Sequence, residues 1–148
     1  MTSLLGKRSS MVLFHNEIGH QSHKVRIVLS EKGITADLEA LDPENLPKEI
    51  LEVNPKGFLP LLIDRELALY KSQLIVEYLD ERFPHPPLLP VYPVARAQTR
   101  LILHRIEEEW TYHVDILEDA SATTAKKNSS RKEPVSYTHL TLPTTGIV

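Results

Sequence analysis

Three imidazoles and one hydroxyl fall within HNEIGHQSHKVRI, His15 to Ile27. Imidazole binds metals and titrates near neutrality. His15, His20 and His23 lie near one another, and the last two share a helical face. Zinc needs a full set of Cys, His or carboxylate ligands. The chain has no Cys and no carboxylate placed to complete such a set, so no metal site is assigned. These histidines read as solvated or capping groups. Ser22 sits where a helix should start, which makes an N-cap its ordinary role. Lys24 and Arg26 read as a solvated helix face without special role. A second stretch offers recognition rather than catalysis. ERFPHPPLLPVYPVAR, Glu81 to Arg96, places five prolines between Pro84 and Pro93. Each proline fixes φ and removes a backbone donor, so this run is expected to stay out of helix and sheet. An extended, stiff segment has little entropy to lose on binding. His85 and Tyr92 add polar tips on flat apolar rings, the kind of residue interfaces favour. Physical reasoning alone supports a docking surface and a rigid interdomain spacer equally.

Composition limits the rest. With 148 residues, 41% hydrophobic and 25% charged, the chain suits one soluble domain, or one domain and part of another. A net charge of -3 provides no positive field for nucleic acid or anionic membrane. Direct sequence-specific nucleic-acid binding is therefore not expected. The basic start, MTSLLGKRSSMVLF, lacks a signal peptide's apolar core. No apolar run approaches the roughly 18 residues that span a bilayer. The expected compartment is the cytoplasm.

The elements that must position these groups emerge from pattern. MVLFH, Met11 to His15, reads as a strand. A helix from about Gln21 to Lys32 carries Val25, Val28 and Leu29 and stops at Gly33. Ala36 to Asp42 is a second strand. Asp42 is placed to cap a helix starting at Pro43, with Leu46, Ile50 and Val53 as its stripe. NPKG, Asn54 to Gly57, breaks it. LPLLID and ELALY then pair as a hairpin across Arg65, and KSQLIVEYLDERF puts Leu74, Ile75, Tyr78 and Leu79 on one helical face. The order β-α-β-α-β-β-α predicts a mixed four-stranded sheet of thioredoxin-like type, an α/β domain over residues 10–83.

After a linker at 84–93, Val94 to about Asp119 reads as one long amphipathic helix lined by Ile102, Ile106, Trp110, Val114 and Leu117. Such a stripe needs further helices to bury it. Residues 121–134 are polar with no helical stripe, so a partial all-α domain is expected over 94–134, cut short. PVSYTHLTLPTT, Pro134 to Thr145, changes composition abruptly and contains no Asp, Glu, Lys or Arg. It resembles the translation of a sequencing-library transposon adapter, so 135–148 is expected to be a non-native tail.

KRSSMVLF, SHKVRIVLSEKGI, VNPKGFLPLLIDRELALYKS and above all YLDERFPHPPLLPVYPVARA resemble the stringent starvation protein A family, a bacterial branch of the glutathione-transferase-like superfamily. The resemblance runs from about Lys7 to Asp119. It implies a homodimeric regulator associated with RNA polymerase and its sigma factor during starvation and stress, with the transferase fold and no transferase activity. Partner contact is carried over to Pro84, His85 and Pro86, with Tyr92 close by. The resemblance also implies a vestigial glutathione cleft at Leu59, Pro60, Lys71 and Ser72, with a cis Leu59–Pro60 bond. Transferases stabilise the glutathione thiolate with a hydroxyl or Cys near the end of the first strand. Aligned on VRI, that position is Gly19, which has no donor, and Ser22 is the alternative hydroxyl. Where transferases place an acid before Ser72, this chain has Lys71, which removes the partner of the ligand's ammonium. No catalytic residue and no cofactor are assigned, and tight binding of glutathione is not expected. A glutathione-dependent transferase or peroxidase is the alternative.

Overall fold

The computed structural model describes residues 11–119 and 122–136. The basic start and nearly all of the tail expected from Val135 lie outside the described residues. The chain divides into two compact units, one through Pro87 and one from Leu88.

The first unit runs β1 (Val12–His15), α1 (His20–Glu31), β2 (Asp37–Ala40), α2 (Lys48–Val53), β3 (Leu61–Asp64), β4 (Leu67–Tyr70) and α3 (Ser72–Arg82). The sheet order is β2-β1-β3-β4, with β1 parallel to β2 and antiparallel to β3, and β3 antiparallel to β4. This is the mixed thioredoxin-like sheet that the element order predicts. Strand residues alternate between faces, and β1 uses both. Met11 and Leu13 pack with Val25, Val28 and Leu29 of α1, Leu62 of β3, and Ile75 and Leu79 of α3. Val12 and Phe14 pack on the other face with Ile50 of α2 and with Leu61 and Ile63. A buried Leu or Ile contributes roughly 1.5–3 kcal/mol, so these two layers carry the fold.

Several expectations need correction. The α2 helix begins at Lys48, not Pro43. Pro47 has no N–H to continue a helix from Pro43 and disfavours helical geometry at Leu46. Asp42 instead organises a turn, its Oδ1 accepting the Glu44 N–H at 3.0 Å. Leu74 is exposed rather than on the inner face of α3, because the buried row is Ser72, Ile75 and Leu79. The hairpin turns at Arg65, whose φ is +57°.

The second unit contains α4 (Pro93–Arg105), a π-helical segment (Ile106–Thr111), α5 (Tyr112–Glu118) and α6 (Thr124–Ser136). Pro93 therefore belongs to a helix after all: at the first helical position its missing N–H costs nothing. The long helix is continuous but passes through the π segment, whose wider turns shift the register of α5. Ile116 is buried where the simple stripe pointed to Leu117. The helix α6 has no counterpart in the apolar pattern. Thr123 starts it, its Oγ1 accepting the Lys126 N–H at 3.2 Å. Ser130 is buried against α5, with its Oγ 3.1 Å from His113 Nδ1.

Candidate functional site

Three loop-to-element junctions meet in the first unit. The turn before β3 supplies Phe58, Leu59 and Pro60, and Leu59–Pro60 is cis. Pro60 is buried and Leu59 half-buried. Asn54 is fully buried and shapes this turn: its Nδ2 donates to the Phe58 carbonyl at 2.6 Å, and its Oδ1 accepts the Phe58 N–H at 3.3 Å. The junction of β4 and α3 supplies Lys71 and Ser72. Lys71 holds φ at +74°, a conformation that costs a non-glycine residue about 1–3 kcal/mol. Its ammonium stands 5.2 Å from the centroid of Phe58, whose ring packs on Tyr70. Ser72 opens α3 and is buried, with its hydroxyl donating to the Gln21 side-chain carbonyl of α1. Leu59, Pro60, Lys71 and Ser72 thus line one region beside the start of α1.

The third junction is β1 to α1. Gly19 is the N-cap of α1, at φ −76° and ψ 135°. A Cβ added there would lie 3.1 Å from Asn16 Nδ2 and 3.4 Å from Asn16 Cβ, so Asn16 crowds the place where a side chain would project. Ser22 is not the cap. It lies in the first turn, buried, and its Oγ accepts the Asn16 N–H at 3.0 Å. That hydroxyl oxygen is committed to holding the loop. Arg26 is likewise more than a solvated basic residue. Its guanidinium donates to the Asn16 carbonyl at 3.0 Å and the Glu17 carbonyl at 3.2 Å, and lies 2.9 Å from His15 Nδ1. Because guanidinium only donates, Nδ1 accepts and the ring proton sits on Nε2. Burial, reinforced by the Arg26 charge, holds the His15 pKa below its ordinary 6.5. His23 is exposed and His20 half-buried, both on α1.

The proline bridge leaves this unit at the end of α3. Pro84, His85, Pro86 and Pro87 are all exposed, and His85–Pro86 is a second cis bond, which nothing in the sequence pattern announces. Tyr92 is 62% exposed and caps α4, its carbonyl accepting the Arg96 N–H at 2.9 Å. Sequence reasoning misses Lys32. It looks like the last residue before a glycine stop, yet it is buried, with its ammonium 2.9 Å from Asp80 Oδ1, 2.5 Å from the Phe83 carbonyl and 2.7 Å from the Pro86 carbonyl. Its signal emerges only once the ends of α1 and α3 are known to meet.

The model for the glutathione S-transferase N-terminal domain matches residues 13–87, half of the chain and the whole of the sheet-bearing unit after its first strand residue. The chain belongs to the glutathione S-transferase N-terminal domain family. Within that family it is similar to stringent starvation protein A. It is 54% identical over 110 residues to the stringent starvation protein A homolog of Pasteurella multocida, covering 74% of this chain and 52% of that protein. With the homolog of Haemophilus ducreyi it shares 48% identity over 132 residues, 88% of this chain and 62% of that protein. The chain thus spans between half and two thirds of these relatives' length. Among solved structures, a glutathione S-transferase from Rhodospirillum rubrum superposes with a TM-score of 0.76 at 22% identity, covering 86% of this chain and 62% of that one. At that identity the likeness concerns the fold alone. No helix among the described residues is long and apolar enough to cross a membrane.

Proposed function

We propose that this protein is a cytoplasmic, homodimeric regulator of transcription in bacterial starvation and stress, bound to RNA polymerase and its sigma factor and acting by protein contact without catalysis. One observation carries the reading: Pro84, His85 and Pro86 are exposed on a glutathione S-transferase N-terminal fold in which α1 starts at Gly19, a residue with no side-chain donor. The similarity to stringent starvation protein A homologues supports the partner class. Pro84, His85 and Pro86 carry the contact, and Tyr92, further along the linker, is a second contact residue. The bridge suits docking because proline has already restricted it, so little ordering entropy opposes association. Each region then has its role: residues 10–83 are the scaffold, 84–93 the contact segment, and 94–134 an all-α region.

Replacing Pro84, His85 and Pro86 together with alanine tests the docking. The full-length variant should keep its circular dichroism spectrum and lose pull-down of purified RNA polymerase. Undiminished pull-down would refute it.

One observation favours a second reading, a glutathione-dependent enzyme. The cis Leu59–Pro60 turn and Ser72 at the start of α3 retain part of a peptide-binding cradle. Conjugation of chlorodinitrobenzene to glutathione, lost on Ser22→Ala, would support that reading over the first.

A further inference from the structure

Lys32 has 0% of its side chain exposed, while its partner Asp80 keeps 14%. A buried ammonium is tolerated only when paired and hydrogen-bonded. Here its three donors have three acceptors: Asp80 Oδ1 at 2.9 Å, the Phe83 carbonyl at 2.5 Å and the Pro86 carbonyl at 2.7 Å. Two of the three are backbone oxygens that bracket Pro84 and His85. Proline contributes no N–H, so a proline-rich segment has few donors with which to tie itself to a domain. Its carbonyls are the available handles, and Lys32 holds two of them from a different element, the end of α1. With those oxygens turned onto the ammonium, Pro84, His85, Pro86 and Pro87 remain exposed.

We propose that Lys32 is the positioning residue of the bridge, its ammonium fixing the backbone from Phe83 to Pro86 so that Pro84, His85 and Pro86 are presented in the arrangement a partner protein reads. This rests on the docking function above and adds what presets the surface. Proline stiffens the segment from within but does not aim it. A stiff segment on a loose attachment spends only part of its time correctly aimed, and apparent affinity falls by that fraction.

The test uses the full-length protein. Lys32→Met keeps an unbranched apolar stem and removes all three donors. Lys32→Met with Asp80→Asn also removes the carboxylate that pairs with Lys32. Asp80→Asn alone keeps both carbonyl contacts. Affinity for purified RNA polymerase holoenzyme is measured beside the rate of tryptic cleavage at Arg82–Phe83, with circular dichroism to establish folding. Trypsin reports the local hold on the bridge without any partner. The double variant should bind polymerase about ten-fold more weakly or worse, and cleavage after Arg82 should accelerate by a comparable factor. Asp80→Asn alone takes the countercharge from a fully buried ammonium and should lower global stability in urea. While folded it keeps both carbonyl contacts, so its binding should be stronger and its cleavage slower than the double variant's. A folded double variant that binds and is cleaved like wild type overturns the proposal, provided the Pro84, His85 and Pro86 triple alanine loses binding. If that triple variant binds undiminished, the docking reading falls, and cleavage alone judges the clamp: faster cleavage supports it, and an unchanged rate overturns it.

Discussion

Introducing a hydroxyl at Gly19 tests the proposal that this cleft carries no thiol chemistry because that position offers no donor. Gly19→Ser meets no backbone strain, since φ is −76°. The new Cβ would sit 3.1 Å from Asn16 Nδ2, so that amide must yield by a few tenths of an ångström. Asn16 also accepts the Ile18 N–H at 3.2 Å through Oδ1, a bond in an exposed loop worth about 0.5–1 kcal/mol. A Ser N-cap returns a few tenths of a kcal/mol relative to Gly. The variant should therefore lie within about 1 kcal/mol of wild type in urea unfolding, taking the worst case as loss of the Ile18 bond. A donor that lowers a thiol from about 8.5 by two pH units raises its thiolate fraction at pH 7 roughly 25-fold. That gain needs glutathione in place, and in the proposed cleft the Lys71 charge would oppose the ligand's ammonium. The informative comparison is therefore Gly19→Ser with Lys71→Glu against Lys71→Glu alone. Conjugation of chlorodinitrobenzene should stay at the uncatalysed rate in wild type and in each single variant, and rise at least about ten-fold in the double variant. Wild-type conjugation as fast as the double variant's would refute the reasoning. So would wild-type activity that disappears with Ser22→Ala.

Calorimetry of wild type with glutathione should give no resolvable heat, while Lys71→Glu should give binding; heat from wild type would show that Lys71 does not exclude the ligand. Ser22→Ala should cost about 1–3 kcal/mol in urea unfolding, because it strands the Asn16 N–H beside a buried position; a cost near zero would mean that the contact holds nothing. His15 is held below 6.5 by burial and Arg26, so its unfolded form binds the proton more readily. The stabilisation it gives is complete above about pH 6.5 and declines as pH falls from there through the lower folded value. His15→Gln should flatten the stability profile in that acid window; an unchanged slope would place the titration elsewhere.

The scaffold is readable because period-two and helical apolar patterns report burial directly. Met11 and Leu13 against Val12 and Phe14 declare two core faces, and both are filled. The misreadings share a cause, which is backbone chemistry that competes with pattern. Pro47 cuts back α2, the π segment displaces the stripe onto Ile116, and a single threonine cap launches α6 from a polar run without periodicity. In the cleft, Gly19 and Lys71 are legible as residue types. Their surroundings are not: Asn16 filling the space at Gly19, Gln21 accepting the Ser72 hydroxyl's hydrogen bond, and Arg26 knitting the loop are contacts between separate residues. Lys32 is least legible, since a lysine before Gly33 satisfies every local rule for a helix end.

The separation between what folds the domain and what formed its cleft explains how one can change without the other. The two apolar layers close through β1, β3, α1, α2 and α3 and do not include Gly19, Lys71 or Ser72. Substitutions in the cleft therefore alter ligand chemistry at a cost of about 1 kcal/mol or less when exposed. The bridge is different, because its hold depends on an ammonium drawn from α1 into a fully buried position. Removing that charge breaks its ion pair with Asp80 and both of its bonds to the bridge carbonyls at once. An exposed surface tolerates substitution, whereas a surface anchored by a buried charge is tied to the integrity of the domain. On this scaffold the anchored surface is the proline bridge.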